Sequence, residues 1–187
     1  MSGDGNLRVL GFAGSLRQGS YNKLALRAAQ ELAPPGMTIE IFDLAPIPMY
    51  NDDVRLQGYP PPAEQFRARI KAADAVLIAT PEYNHSIPGV LKNAIDWASR
   101  PPEQPFSGKP IALLGASPGV LGTVRAQMHL RQCFVFLNGY VLPQPEVLIG
   151  NATNRFDAEG RLTDEPTREF LRKLLEALAA WTRRLRT

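Results

Sequence analysis

Leu7-Arg8-Val9-Leu10-Gly11-Phe12-Ala13-Gly14-Ser15-Leu16-Arg17-Gln18-Gly19-Ser20-Tyr21-Asn22 is a short apolar run that gives way to a polar, glycine-bearing loop. The run reads as a buried parallel strand, because apolar residues facing both ways leave no alternation. Beyond the loop, Leu24, Ala25, Ala28, Ala29 and Leu32 recur at helical spacing. Ser20 or Asn22 can cap the start of that helix, and Pro34-Pro35 stops its end. A strand, loop and helix in this order aim the helix's free N–H groups and positive dipole end at whatever the loop holds, which predicts an anion site. Ser15, Ser20 and Asn22 supply short hydrogen-bonding side chains, Arg17 a planar cation, and Gly14 and Gly19 room for close backbone approach. That set suits a terminal phosphate, and the loop residues Leu16 and Tyr21 flank it.

Two better-known phosphate loops fit less well. Gly14 and Gly19 have the spacing of a nucleotide-triphosphatase loop, but Ser20-Tyr21 stands where a Lys and a Ser or Thr should follow. A dinucleotide-binding turn needs G-x-G-x-x-G, whereas Gly11-Phe12-Ala13-Gly14-Ser15-Leu16 has another spacing. Asp43, after the second strand, is the one feature in favour of the dinucleotide reading.

Outward from this unit, strand and helix signals alternate. Thr38 to Asp43 reads as a second strand, followed by an irregular stretch, Leu44 to Pro62, with five prolines. Ala63 to Ala73 reads as a helix, Ala75 to Thr80 as the clearest buried strand, and a further helix starts at Pro88 and ends before Pro101-Pro102. Lys109 to Ala116 predicts the fourth strand, a largely apolar helix runs to about Leu137, and the fifth strand lies within Tyr140 to Ile149. Thr163 or Asp164 caps a last helix with the stripe Phe170, Leu171, Leu174, Leu175, Leu178 and Trp181. Five strands alternating with five helices predict an α/β fold: a doubly wound, five-stranded parallel sheet with helices on both faces, as a single domain over residues 1–187. Ligands of such sheets bind outside the strands' carboxyl ends, where strand order reverses.

Composition narrows the function. With 187 residues, 44% hydrophobic and 21% charged, the chain is an ordinary globular one. Its net charge of +3 is spread among acidic residues, and the run Arg183-Arg184-Leu185-Arg186 reads as a complement to a helix's negative end, so no nucleic-acid partner is expected. The single Cys133 excludes an internal disulfide and reads as a small core residue. Met1 to Asn6 is short and polar, and no long apolar span follows, so a cytoplasmic location without membrane contact is expected. His85 and His129 stand alone, without the spacing of a metal site.

The expected mouth gathers the first loop, Pro81-Glu82-Tyr83-Asn84-His85-Ser86 and Ser117-Pro118-Gly119-Val120-Leu121-Gly122. It offers a phosphate site and a ring-binding loop but no paired acid and base, so the reactivity is expected to come from a cofactor, with no catalytic side chain. Gly115-Ala116-Ser117-Pro118-Gly119 matches the nucleophile elbow of serine hydrolases, the rival reading. Pro118, however, lacks the N–H that the oxyanion hole takes from that position, and no acidic residue lies between Ser117 and His129.

Three motifs then carry a resemblance: Gly14-Ser15-Leu16-Arg17 with Ser20 and Asn22, Pro81-Glu82-Tyr83-Asn84 with Ser86 to Gly89 and Leu91-Lys92-Asn93, and Gly115-x-Ser117 with Gly119. Together with Pro48-Met49-Tyr50-Asn51-Asp52-Asp53, they resemble the NADPH-dependent FMN reductase family, closest to its bacterial quinone and chromate reductases, from about Leu7 to Ile149. The resemblance implies a flavodoxin-like fold, bound FMN, NADPH or NADH as electron donor, and quinones, free flavin or another small oxidant as acceptor. It also implies a homodimer or homotetramer; Trp97 and Arg100, beside Pro101-Pro102, add to that expectation, with Arg100 expected to reach a neighbour's flavin site, against a plain reading as core and a solvated charge. It puts phosphate contacts at Ser15, Arg17, Ser20 and Asn22, flavin and ribityl contacts at Pro81, Glu82, Tyr83 and Asn84, and the platform under the ring at Ser117 and Gly119. An FMN-binding electron carrier without reductase activity is the alternative, since its binding loops would look alike.

Overall fold

The computed structural model describes residues 5–186. Six strands form one parallel sheet: β1 (Leu7–Ala13), β2 (Met37–Phe42), β3 (Ala75–Ala79), β4 (Pro110–Ala116), β5 (Tyr140–Val141) and β6 (Val147–Ile149). The order is β2-β1-β3-β4-β5, with β6 also on β4. Six α-helices accompany them: α1 (Tyr21–Glu31), α2 (Asp52–Gln57), α3 (Pro61–Ala72), α4 (Gly89–Ala98), α5 (Val124–Phe136) and α6 (Glu165–Leu185).

The central strands are apolar on both faces because helices cover both. Leu7, Val9, Leu77, Leu114 and Ala116 pack with α1 and α6 in one core. Leu10, Phe12, Val76, Ile78 and Leu113, one residue out of phase, pack with α3, α4 and α5 in the other. Period-two alternation between two cores is what a doubly wound parallel sheet requires. The chain steps from β1 outward to β2, then returns to place β3 on the other side of β1. The loops after β1 and β3 therefore diverge at the strands' carboxyl ends and leave a crevice there.

Several expectations need correction. The fifth strand is two short segments, β5 against Pro110 and Ile111 and β6 against Leu114 to Ala116. Pro143 and Pro145 lie between them and cannot donate to a ladder. The irregular Leu44–Pro62 stretch contains α2, capped by Asn51, whose side chain accepts from the Asp53 N–H at 2.9 Å. α3 begins at Pro61 rather than Ala63, because Pro61 and Pro62 occupy first-turn positions whose N–H groups would have no helical acceptor. On α6 the cap is Asp164, which accepts from the Thr167 N–H, and Phe170 lies outside the buried stripe at 55% exposure. Arg186 of the basic run pairs with Asp74. Cys133 is half-buried rather than core. Of the polar Met1–Asn6 stretch, residues 1–4 lie outside the described residues. No helix among the described residues is long and apolar enough to cross a membrane.

Candidate functional site

The first loop leaves β1 at Gly14, whose N–H donates to the Ala79 carbonyl at 2.9 Å. A Cβ there would lie 3.0 Å from both Pro88 and Leu91, so glycine lets β1 run close under the start of α4. Ser15 and Ser20 are 3% and 4% exposed, and neither hydroxyl has a hydrogen-bond partner among the described residues. Leu16, Arg17, Gln18 and Gly19 are exposed. Ser20 takes the cap position of α1 with extended backbone (φ −74°, ψ 122°), but its side chain does not cap. The N–H groups of Tyr21, Asn22 and Lys23 likewise have no acceptor among the described residues. The hydroxyls of two nearly buried serines, three N–H groups at a helix's positive end and the Arg17 guanidinium are thus donors without protein acceptors among the described residues. A phosphate dianion satisfies them together.

Asn22 is different. Its amide donates to the Ala116 carbonyl and its carbonyl accepts from the Ala116 N–H, both at 2.9 Å and both buried. The side chain expected among the phosphate ligands instead ties α1 to the end of β4, leaving its backbone N–H for an anion. Tyr21 packs its ring on Phe156, centroids 5.5 Å apart, away from the loop.

The second loop is a two-residue hairpin turn. Tyr83 and Ser86 exchange both backbone hydrogen bonds, at 3.2 and 3.0 Å, around Asn84 (φ 51°) and His85 (φ 61°). Asn and His are among the residues that tolerate this left-handed backbone, and two in succession match the twist of a tight hairpin. Pro81 is buried, and Tyr83, Asn84 and His85 are exposed. Glu82, expected as a flavin contact, directs its carboxylate at the start of α5. There it accepts from the N–H groups of Arg125 and Ala126 at 3.0 and 3.1 Å and from the Arg125 guanidinium at 3.3 Å. Ser86 Oγ lies 3.1 Å from His129 Nδ1 on the same helix. His129 is exposed, a surface side chain whose ring meets Ser86.

The third loop is fixed from below. Ser117 N–H donates to the Ile149 carbonyl, and the Ala152 and Asn151 N–H groups donate to the Ser117 and Gly119 carbonyls. Ser117 Oγ accepts from the Gly119 N–H at 3.1 Å. No histidine bonds Ser117, and His129 is turned to Ser86. Gly115 has a packing reason of its own, since a Cβ there would collide with Thr123 and lie 2.6 Å from the Thr80 carbonyl. The elbow motif is thus explained without a nucleophile.

Around this mouth, a fourth segment is strapped to α4. The Asn93 amide and Trp97 indole both donate to the Pro48 carbonyl at 2.8 Å, and the Tyr50 N–H donates to the Asn93 side chain at 2.7 Å. The Tyr50 hydroxyl donates to Asp52, which also holds Arg55. These two bonds pull the Asp52 carboxyl down to about 2, while burial and Asp52 push the Tyr50 phenol up. Trp97 is wholly buried, and Arg100 lies over the Tyr50 ring with its Nε donating to the Asp96 carbonyl.

A sequence model described as NADPH-dependent FMN reductase matches residues 7–154, spanning all three loops. The chain belongs to this family. Among FMN reductase relatives, an NAD(P)H-dependent FMN reductase of Pseudomonas aeruginosa is 61% identical over 97% of this chain and 98% of its own. An NAD(P)H:quinone oxidoreductase of Solanum tuberosum is 46% identical, covering 96% and 95%, and a quinone reductase of Escherichia coli 42%, covering 96% and 97%. Of solved structures, FerB, a flavoenzyme NAD(P)H:(acceptor) oxidoreductase from Paracoccus denitrificans, superimposes with a TM-score of 0.87 at 36% identity, over 95% of this chain and 98% of that one. The flavodoxin-like fold of the FMN reductases is therefore the fold of this chain.

Proposed function

We propose that this chain, as a single domain, binds one FMN and passes electrons from NADPH or NADH to a small-molecule acceptor of the quinone type. The observation that carries the reading is the set of unpartnered donors at the start of α1: Ser15, Ser20, Arg17 and the N–H groups of Tyr21, Asn22 and Lys23. They would hold the phosphate. The exposed Tyr83-Asn84 hairpin, with Pro81 behind it, and the Ser117–Gly119 shelf would flank the ring. Flavin supplies the hydride-accepting and hydride-donating chemistry. The protein's residues bind and orient, which fits a mouth where Glu82 and His129 are already hydrogen-bonded within the fold.

The reading includes an assembly of at least two chains, supported by apolar side chains that α5 leaves in solvent. Val135 is 82% and Phe136 88% exposed, and Met128 on the same helix 52%. A cytoplasmic location is part of the same reading. Stopped-flow mixing of the FMN-loaded protein with NADPH tests the core of it: the flavin absorbance should bleach before any quinone is added and return when one is. A flavin that stays oxidised would leave only the electron-carrier alternative, and light scattering that reports a monomer would remove the assembly.

A further inference from the structure

Two helices present their N-termini to the mouth, and the structure treats them in opposite ways. α1 is capped by a residue whose side chain makes no capping bond, and its first N–H groups are free. α5 also lacks a local cap, because Thr123 at that position is left-handed (φ 73°) and its side chain makes no capping bond. Its Val124 N–H donates to the Leu121 carbonyl, and the next two, of Arg125 and Ala126, are satisfied instead by Glu82, 43 residues earlier than Arg125, from the loop after β3. The Glu82 side chain is only 13% exposed.

This places a carboxylate where a helix dipole favours a negative charge, and its covalent neighbour is the ring-binding hairpin. Ser86, at the far end of that hairpin, is tied to His129, one turn further along α5. The hairpin is thus bolted to α5 at both ends, and α5 follows directly from the Ser117–Gly122 shelf. We propose that Glu82 is a positioning residue. By capping α5 across the fold, it sets the Tyr83-Asn84 hairpin at a fixed height over the shelf and so defines the slot for the flavin ring. It does not touch the phosphate. The proposal rests on the flavin reading above.

Two flavins separate the ring from the phosphate. Riboflavin carries the same ring as FMN without the phosphate, so a loss at the slot weakens both equally, whereas a loss at α1 weakens FMN alone. Titration by flavin fluorescence should show Glu82→Ala binding FMN and riboflavin each about tenfold more weakly, the range for losing a helix cap. The ratio of the two affinities should stay at the wild-type value. Glu82→Gln, which keeps the length and a carbonyl acceptor, should bind both within about threefold of wild type and restore the visible circular dichroism of the bound flavin. If Glu82→Ala does not fold, Glu82→Asp, charged but one methylene short of the two N–H groups, should show the same equal weakening.

Affinities unchanged in Glu82→Ala would overturn the role, as would a loss confined to FMN or a Gln variant as weak as Ala. Wild-type protein that binds neither flavin would instead overturn the flavin reading itself. The two failures are therefore distinguishable.

Discussion

Replacing Asn22 by Ala removes one side chain and unties two loops. The carboxamide makes both of its hydrogen bonds to Ala116, one to the N–H and one to the carbonyl, each 2.9 Å long. Asn22 and Ala116 are each 3% exposed, so water does not readily replace the lost partner. A buried backbone group left without a partner costs about 1–3 kcal/mol, which puts the pair at roughly 2–6 kcal/mol. Ala is the better helix former in the first turn of α1 and returns about 0.5 kcal/mol. The net loss of roughly 2–5 kcal/mol should lower the melting temperature of the flavin-free protein by about 4–20 °C for a chain of this size. Asn22→Asp should be at least as damaging at neutral pH, because its carboxylate still accepts from the Ala116 N–H but opposes the Ala116 carbonyl. That carboxyl would titrate above its ordinary value of about 3.9, since only the protonated form can donate. The penalty is present above the raised folded-state value and shrinks as pH falls through it, so acid should narrow the gap to wild type. Scanning calorimetry of the three proteins checks all of this. A fall of less than about 2 °C in Asn22→Ala, or an Asp variant insensitive to pH, would show that the Ala116 link does not hold the loops together.

Arg17→Ala should weaken FMN about ten- to a hundredfold, given about 1.5–3 kcal/mol for a charged hydrogen bond, and leave riboflavin nearly unchanged; equal losses in a fluorescence titration would assign Arg17 to loop structure instead. Ser117→Ala should keep most reductase turnover, and an esterase activity that vanishes with it would revive the hydrolase reading. Asp52 is held at about 2, below its ordinary 3.8, so its bonds to Tyr50 and Arg55 stabilise the fold above about pH 4 and are lost as pH falls through about 2. Melting curves of wild type and Asp52→Asn should therefore differ at neutral pH and converge between about pH 4 and pH 2, and a gap independent of pH would refute the cause given for the shift.

What could be read from sequence follows from where the partner of each residue lies. Ala75 to Ala79 are buried on both faces, so their apolar run is continuous and the strand is legible by itself. The N-terminus of α1 was legible because strand, loop and helix are contiguous in the chain. α2 buries no residue and has six, so it has no stripe to detect; its only signal is Asn51 before Asp52-Asp53. The roles of Asn22 and Glu82 were not legible because their partners are 94 and 43 residues away, brought close only by the neighbouring positions of β1, β3 and β4. Each was assigned to the ligand because a polar side chain in a binding loop has two possible kinds of partner, and sequence does not tell them apart. The wholly buried Trp97 likewise finds its partner far along the chain, its indole N–H donating to the Pro48 carbonyl.

The contrast between the two capped helices also bears on how a ligand would be oriented. A helix N-terminus carries roughly half a positive charge, and both α1 and α5 bring one to the mouth. At α5 the Glu82 carboxylate, itself paired with Arg125, takes up the Arg125 and Ala126 N–H groups. At α1 no side chain of the described residues does so, and the exposed cation of that loop is Arg17. The open N–H donors of the mouth are therefore concentrated at one end, on the side of β1, and those on the side of the shelf are occupied by Glu82. On the proposed reading, an FMN dianion arriving in either direction finds free N–H donors for its phosphate only at α1, which leaves the uncharged ring to the hairpin and shelf. Glu82 would then act on orientation twice, by holding the hairpin in place and by closing the second anion site.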